Sequence, residues 1–246
     1  MNLYIDVGNT ATKFAVDNED VVKHVLTTDT SKILENVDYF LMPLPDNFEK
    51  VFISSVVPDV SDCLKKYFLR KYNIEPSFIN PHDECGLKID IDNQNELGAD
   101  LLCDLAAANH LFKYPLLVID LGTATKFLFI DNQGVFYTCA IVQGLELSLK
   151  NLSKNTALLP LLSFEEVKPL LENKNTKDVL VSSAYYSHVD TINGMVKRYK
   201  EATNYPFTIV LTGGNINIVK DDLDFEYQVV NNLCLLGIKV IVEKRK

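Results

Sequence analysis

The sequence predicts an α/β protein built from two similar halves, each with a central sheet covered by helices. The first indication is a repeat, because residues 3–14 and 117–127 both read as an apolar strand, Asp-x-Gly and then Thr-Ala-Thr-Lys-Phe, with one extra residue in the first copy. The second is the alternation of strand and helix patterns along all 246 residues. The third is composition, since 47% hydrophobic residues suffice for one large core or two modest ones. We place the domains at 1–114 and 115–246.

Each copy of the repeat reads as a strand, a tight turn and a second strand. The turn glycine, Gly8 or Gly122, permits a positive φ and lets a ligand approach the backbone. The aspartate at the end of the first strand, Asp6 or Asp120, can hold a cation or a metal-bound water. Such a turn suits a phosphate chain, although an ordinary hairpin with Asp-Gly chemistry has the same pattern. The presence of two copies favours the phosphate-binding interpretation.

The remaining elements follow from apolar periodicity and from capping residues. In chain order they are a strand at 50–54, a helix from Pro58, a helix from about Asp100, a helix over 144–157, a short helix opened by the capping box Ser163 to Glu166, a long helix capped by Thr176 and running to about Lys200, and a strand at 207–211 before Thr-Gly-Gly. This order is typical of an α/β fold whose helices cover central sheets.

Charge and cysteine usage exclude several classes of function. The net charge is −9, with 24 Lys plus Arg against 33 Asp plus Glu, so a nucleic-acid or anionic-membrane surface is disfavoured. Five scattered cysteines without a C-x-x-C pair indicate reduced thiols rather than zinc ligands or disulfides. No apolar stretch is long enough to span a bilayer, and the N-terminus begins with a strand rather than a leader. We therefore expect a soluble, cytoplasmic protein.

The two Asp-x-Gly turns and the late Thr-Gly-Gly resemble the phosphate-binding turns and the adenosine loop of the actin-like ATPase and sugar-kinase superfamily. Other motifs, in this order and at this chain length, resemble the type III pantothenate kinases, which phosphorylate pantothenate with ATP in the first step of coenzyme A synthesis. These motifs are Ile53-Ser54-Ser55-Val56-Val57-Pro58, Gly98-Ala99-Asp100, Gly144-Leu145, Asn175-Thr176 and Leu233-Cys234-Leu235-Leu236-Gly237. The resemblance implies duplicated actin-like (ribonuclease H-like) domains with mixed central sheets and a nucleotide cleft between the domains.

The resemblance also implies roles for individual residues. Those around ATP are Asp6, Val7, Gly8, Asn9, Thr10, Ala11, Thr12, Lys13 and Thr123. Asp6 faces the Mg²⁺ that accompanies ATP, and Asp120 binds a monovalent cation, K⁺ or NH₄⁺. Asp100 corresponds to the general base. The substrate-binding positions are Ile91, Gly98, Ala99, Asp100, Leu101 and Thr176, of which Thr176 reaches the site across a homodimer interface.

The chemistry of Asp100 has two interpretations. A primary hydroxyl is a poor nucleophile until a carboxylate accepts its proton during attack, and Asp100 could be that carboxylate. Alternatively, an aspartate at the start of a helix is an N-cap, which adds about 1 kcal/mol to helix stability and nothing to catalysis. The resemblance over the whole chain favours the catalytic role.

Several positions on the acceptor side depart from the family's pattern. The family has arginine at Leu101 and tyrosine at Ile91, and its glycine-rich segment is altered here at Thr138, Cys139 and Gln143. Loss of the arginine beside anionic pantothenate should lower substrate use about 10- to 100-fold unless Lys88 or a lysine from a partner subunit substitutes. Three alternatives therefore stay open, which are a kinase with a different small acceptor, a nucleotide-binding regulatory or inactive kinase-like protein, and an actin-like phosphohydrolase.

Overall fold

Two units make up the chain in the computed structural model, which describes residues 1–18, 21–45, 47–164 and 167–245. The first unit combines residues 1–114, 130–138 and 231–246, and the second combines 115–129 and 139–230. The predicted domains, 1–114 and 115–246, describe the two copies of the duplicated sequence. Compact units need not be continuous in sequence, so these boundaries stay a prediction.

Eleven strands lie in the described part of the chain. They are β1 (Asn2–Val7), β2 (Ala11–Asn18), β3 (Val21–Asp29), β4 (Lys50–Ser55), β5 (Ser77–Phe78), β6 (Lys88–Ile89), β7 (Leu116–Leu121), β8 (Ala124–Ile130), β9 (Val135–Gln143), β10 (Thr208–Thr212) and β11 (Gln228–Val229). The helices are α1 (Thr30–Glu35), α2 (Val37–Phe40), α3 (Pro58–Tyr72), α4 (Ala99–Leu111), α5 (Leu145–Lys154), α6 (Thr176–Ala202), α7 (Ile216–Val219) and α8 (Leu233–Lys244). Single 3₁₀ turns occur at Gln94–Glu96, Leu170–Glu172 and Lys220–Asp222.

The two sheets have equivalent strand orders. The first has the order β3-β2-β1-β4-β5, with β2 antiparallel to both neighbours and β1, β4 and β5 parallel. The second has the order β11-β10-β7-β8-β9-β6, with β7, β10 and β11 parallel. Only Gly122 and Thr123 join β7 to β8, which requires an antiparallel pair. Apart from the extra edge strand β6, which pairs with the start of β9, the second sheet repeats the first, as the duplicated sequence predicts.

The core of the first unit lies between its sheet and α3. Leu64 and Phe68 of α3 are fully buried and belong to the same apolar cluster as Ile5, Phe14 and Ile53 of the sheet. The apolar periodicity that predicts this helix therefore corresponds to its buried face. Proline at the first helical position begins α3 without loss of a hydrogen bond, and left-handed Asn73 ends it.

Helices α4 and α8 of the first unit cross at very short range. A Cβ atom on Gly237 would lie 1.9 Å from the carbonyl oxygen of Cys103, so no other residue fits at this crossing. One turn earlier on α8, the buried thiol of Cys234 is hydrogen bonded to that of Cys103. The C-terminal helix is thereby part of the first unit.

In the second unit, α6 packs its apolar face on the sheet. Val189, Ile192 and Val196 of α6 share a buried cluster with Leu117 and Phe127 of the β7–β8 hairpin. Buried Thr125 and His188 are hydrogen bonded, with 3.2 Å between Oγ1 and Nε2. Burial lowers the pKa of His188, because an imidazolium ion there would lose its hydration.

Most predicted elements are confirmed, with small differences at their ends. The strands predicted at 50–54 and 207–211 are β4 and β10, and the four longer helices begin within two residues of the expected positions. The helix predicted over 144–157 ends at Lys154. The predicted capping box includes Glu165 and Glu166, which lie outside the described residues, whereas its first two residues are not helical.

The predicted cap of the long helix was wrong by one residue. Asn175 is the N-cap of α6, and its side-chain oxygen accepts a hydrogen bond from the backbone N–H of Asp178 at 2.9 Å. Thr176 is the first helical residue. Both residue types are good caps, and the extended backbone at Asn175 decides between them.

All five cysteines are free thiols, as expected. Among the helices of the described chain, none combines the length and the apolar character needed to cross a membrane.

Candidate active site

The first Asp-x-Gly turn is held in one conformation by local hydrogen bonds. The N–H of Gly8 donates to the carbonyl oxygen of Ala11 at 3.1 Å, which closes the turn between β1 and β2. The hydroxyl of Thr30 donates to the carbonyl oxygen of Gly8 at 2.6 Å and lies 3.0 Å from the hydroxyl of Thr12. Thr12 is fully buried, so its side chain supports the turn. The tip residues that could reach a ligand are Asn9 and Thr10, which are exposed.

The charged residues of this turn lie at the ends of its two strands. Asp6 of β1 is directly opposite Lys13 of β2, and both are half-buried. On its other side, Asp6 is in register with Ser54 of β4. A carboxylate and an ammonium group therefore flank the tip of the turn, which suits a magnesium-bound phosphate chain.

Asp100 lies at the start of α4 but is not its N-cap. Gly98 is the N-cap residue, and Asp100 Oδ1 accepts a hydrogen bond from the N–H of Leu101 at 2.9 Å. A Cβ atom on Gly98 would lie 2.5 Å from the same oxygen, so the glycine leaves room for the carboxylate. The first-turn N–H groups of a helix favour a negative charge. Asp100 is half-buried, so part of its side chain is accessible to solvent or to a substrate.

The face of α4 that carries Asp100 continues into a buried acidic region of the first unit. Asp104 is 2% exposed and lies four residues after Asp100, on the same face of the helix. Burial raises the pKa of the Cys103 thiol, and the charges of Asp104 and Asp6 raise it further. The hydrogen bond that the Cys234 thiol donates to Cys103, together with burial, raises the pKa of Cys234 well above its usual value. Both thiols therefore stay protonated, and neither is a nucleophile at neutral pH.

The positions at which we expect departures from the family's acceptor pattern have different environments. Leu101 is buried, with 8% of its surface exposed, so it lies in the core of the first unit. Ile91 is half-buried. Lys88 is exposed and forms an ion pair with Asp90 at 3.1 Å. The altered residues of β9, which are Thr138, Cys139 and Gln143, are exposed.

The second Asp-x-Gly turn contains an ion pair that the sequence analysis did not identify. Lys126 Nζ lies 2.6 Å from Asp120 Oδ2, and the two side chains are only 16% and 14% exposed. A Cβ atom on Gly122 would lie 3.4 Å from Asp120 Oδ1, which places this carboxylate beside the turn. The available signal was the repeat itself, because Lys126 is the counterpart of Lys13.

Two glycine-containing segments of the second unit pack on this turn. Gly213 has a φ of 102°, and a Cβ atom there would lie 2.5 Å from the backbone of Leu121. Gly144 donates its N–H to the carbonyl oxygen of Thr123 at 3.0 Å, and a Cβ atom there would lie 2.4 Å from that oxygen. Asn215 donates its backbone N–H to the carbonyl oxygen of Leu121 at 3.1 Å. The segment predicted to bind adenosine is thus fixed directly against the second turn.

The predicted site residues are divided between the units. The first unit contains residues 6–13, Ile91 and residues 98–101, and the second contains Asp120, Thr123 and Thr176. Thr123 and Thr176 are both exposed. Within the described ranges, no group of three His, Cys, Asp or Glu side chains has the arrangement of a metal site.

Comparisons with known proteins give a consistent family. A model of the family described as type III pantothenate kinase matches residues 2–198. The type III pantothenate kinase of Geobacillus kaustophilus is 30% identical over 253 residues, which cover 99% of this chain and 98% of that protein. The type III pantothenate kinase of Listeria monocytogenes is 28% identical over 255 residues, which cover 100% of this chain and 98% of that protein.

Similar solved structures confirm the fold. A Campylobacter jejuni protein described as a Baf family transcriptional activator has a TM-score of 0.58 at 20% identity, with 99% of this chain and 98% of that chain covered. A Sinorhizobium meliloti protein described as a 2-dehydro-3-deoxygalactonokinase has a TM-score of 0.53 at 11% identity, with the same coverage. The predicted fold class of duplicated actin-like domains with mixed central sheets is confirmed.

Proposed function

The chain belongs to the type III pantothenate kinase family, and we propose that it transfers the γ-phosphoryl group of ATP to the primary hydroxyl of pantothenate, the first step of coenzyme A synthesis. The observation that carries this proposal is the match over the whole chain, including both Asp-x-Gly turns and the Gly98-Ala99-Asp100 segment. Phosphoryl transfer needs alignment and charge neutralisation more than covalent help from the protein.

In this proposal, the first turn holds the phosphates of ATP. The turn N–H groups, the exposed Asn9 and Thr10 and the ammonium group of Lys13 are donors to phosphate oxygens, and Thr123 is a donor from the second turn. Asp6 supplies a carboxylate to Mg²⁺, which is usually bound by one or two carboxylates together with substrate phosphates. The donor set of this turn therefore fits magnesium-bound ATP. When bound, Mg²⁺ neutralises charge on the transferring phosphoryl group.

We assign the role of general base to Asp100. One of its carboxylate oxygens accepts a hydrogen bond from the N–H of Leu101 at 2.9 Å, which orients this side chain in the first turn of α4. It takes the proton of the pantothenate hydroxyl as that oxygen attacks the γ-phosphorus. Gly98, Ala99 and Ile91 then border the acceptor.

The residues of the acceptor pocket leave a second candidate function beside pantothenate phosphorylation. Buried Leu101 supplies no charge for the carboxylate of pantothenate, and Lys88 is already paired with Asp90. These two observations favour either weak pantothenate binding or a second candidate, a nucleotide-binding regulatory or inactive kinase-like protein. A high KM for pantothenate supports the kinase with a rebuilt pocket. Turnover with another small alcohol instead supports a different acceptor.

We also propose that the protein acts as a homodimer in the cytoplasm. Thr176 is the exposed first residue of α6, where it could contribute to the acceptor site of a neighbouring copy. Apolar Leu171 and Val179 are exposed on either side of it, which supports an interface there. The family resemblance further implies K⁺ or NH₄⁺ at Asp120, but the Lys126 ammonium group lies at that carboxylate, so the residues do not fit a separate ion.

The proposed reaction is tested by measuring phosphopantothenate formation with ATP and Mg²⁺ in the presence and absence of pantothenate. We expect ADP release that depends on pantothenate and that falls about 10²- to 10⁴-fold in Asp100→Asn. Asp59→Asn is the matched control, because Asp59 is the second residue of α3, as Asp100 is of α4. Nucleotide binding without any acceptor-dependent turnover would instead support the regulatory candidate, and phosphate release without an acceptor would support a hydrolase.

A further inference from the structure

Lys126 places a positive charge beside Asp120 in the second turn. We propose that the ammonium group of Lys126 takes the place of the monovalent cation at Asp120, so that this kinase works without K⁺ or NH₄⁺. The claim that turnover is independent of K⁺ and NH₄⁺ rests on the proposed function. The claim that Asp120 binds no separate cation does not depend on turnover and is tested separately.

The pair has the geometry of a buried salt bridge rather than that of an exposed surface ion pair. Lys126 Nζ lies 2.6 Å from Asp120 Oδ2, within the range of a charge-assisted hydrogen bond. Both side chains are more than four-fifths buried. Other lysine–carboxylate pairs of this unit are more open, and in the pair between Lys150 and Glu146 about half of each side chain is exposed. The Lys126 head group is therefore held where the carboxylate needs a counter-charge.

The local backbone directs Lys126 to this carboxylate. Strand β8 alternates, so Thr125 points to the opposite face, where it is hydrogen bonded to buried His188. Lys126 consequently shares a side of the hairpin with Asp120. The same arrangement occurs in the first repeat, where Asp6 and Lys13 are direct partners across β1 and β2. The duplication thus provides an aspartate and a lysine at each turn.

A separate alkali ion does not fit beside this pair. Potassium in proteins is held by oxygen atoms, whereas a lysine ammonium group is a donor only and has no lone pair for a metal. An ion bound to Asp120 would also lie within a few ångströms of Nζ, and like charges repel strongly where water is largely excluded. In contrast, the –NH₃⁺ group has the same charge and the same donor chemistry as NH₄⁺. Lys126 therefore satisfies the requirement that the resemblance assigns to a soluble ion.

The kinetic test compares wild type with Lys126→Thr in buffers of equal ionic strength that contain K⁺, NH₄⁺, Na⁺ or tetramethylammonium. Threonine suits a strand and leaves space for an ion at Asp120. We expect the wild-type rate to change less than about twofold among these salts, a difference too small to represent a lost charged hydrogen bond. The variant should be about 10- to 100-fold slower in tetramethylammonium and should regain most of that rate in K⁺ or NH₄⁺. A wild type that requires K⁺, or a variant that stays indifferent to it, overturns the proposal.

The binding test needs no turnover, so it still decides if the protein proves not to be a kinase. The melting temperature of each protein is measured in the same four salts. We expect no specific effect of K⁺ or NH₄⁺ on wild type, and a rise of about 2–5 °C over tetramethylammonium for Lys126→Thr. Lys168→Thr is the control, because it removes a lysine from another partly buried carboxylate, Asp178, at a matching 2.7 Å. A K⁺-specific rise in wild type overturns the proposal even if Lys126→Thr does not fold.

Discussion

Replacement of Gly237 by alanine should destabilise the protein, although alanine is the better helix former. The added Cβ atom would lie 1.9 Å from the carbonyl oxygen of Cys103 and 2.4 Å from its carbonyl carbon. To restore an ordinary contact, α8 must recede from α4 by about 1.5–2 Å. Backbone atoms cannot rotate away as a side chain can, so the strain of overpacking, about 1–3 kcal/mol and sometimes more, should exceed the gain of about 1 kcal/mol in helix propensity.

We expect Gly237→Ala to lose about 2 kcal/mol of unfolding free energy, which corresponds to a fall of about 4–8 °C in melting temperature for a chain of this length. Catalysis should suffer as well, because Asp100 lies one turn before Cys103 on α4 and a shift of about 1 Å in a catalytic group can cost on the order of 10²-fold in rate. Thermal unfolding followed by circular dichroism measures the first effect, and kcat with saturating substrates measures the second.

The control is the same substitution in a helix without the close contact. Gly194 lies within α6, and a Cβ atom there meets nothing within 4 Å, so Gly194→Ala should be neutral or stabilise the protein by up to about 1 kcal/mol. If Gly237→Ala melts at the wild-type temperature or above it, the argument from the helix crossing is refuted. A loss of stability in both variants would indicate a general sensitivity to the substitution rather than the predicted clash.

Three further predictions concern the two turns and the thiols. Thr30→Val removes the hydroxyl that donates to Gly8 and should cost about 1–3 kcal/mol while raising KM for ATP, and an unchanged KM would show that the turn keeps its shape without this bond. Because burial lowers the pKa of His188, the unfolded state binds a proton at a pH where the folded state does not, so the unfolding free energy should fall as pH decreases below about 6.5. Urea titrations at several pH values should show a weaker pH dependence of this free energy in His188→Gln. Exposed Cys139 should be alkylated first at pH 8, whereas Cys103 and Cys234 should react only on unfolding, since their raised pKa values and burial leave little accessible thiolate.

Features with a local cause could be predicted from the sequence. The repeated turns, the apolar stripe of α3 and the start of α4 depend on spacing and on residue types within a few positions. The N-cap of α6 could not be resolved in this way, because Asn175 and Thr176 are both good caps and only the backbone conformation separates them.

Features that depend on distant contacts required the structure. The ion pair at Asp120 depends on how the β7–β8 hairpin places Lys126, and its significance is visible only when the side chains are seen to be buried together. Likewise, Leu233-Cys234-Leu235-Leu236-Gly237 was recognised as a motif, but the reason for its glycine is the backbone of α4, more than 100 residues away in the chain. The burial of Leu101 also follows from packing rather than from its neighbours in sequence.

The position of α8 in the first unit also bears on the synthesis of the protein. Domains usually fold in order as they leave the ribosome, beginning at the N-terminus. Here the first unit needs residues 231–246, and Arg245 completes it through hydrogen bonds to Ser77 and Phe78. The part of the first unit that is translated first must therefore wait for residues 231–246. During that interval the apolar faces of α4 and β1 lack their partner helix, which makes the nascent protein a candidate for chaperone binding.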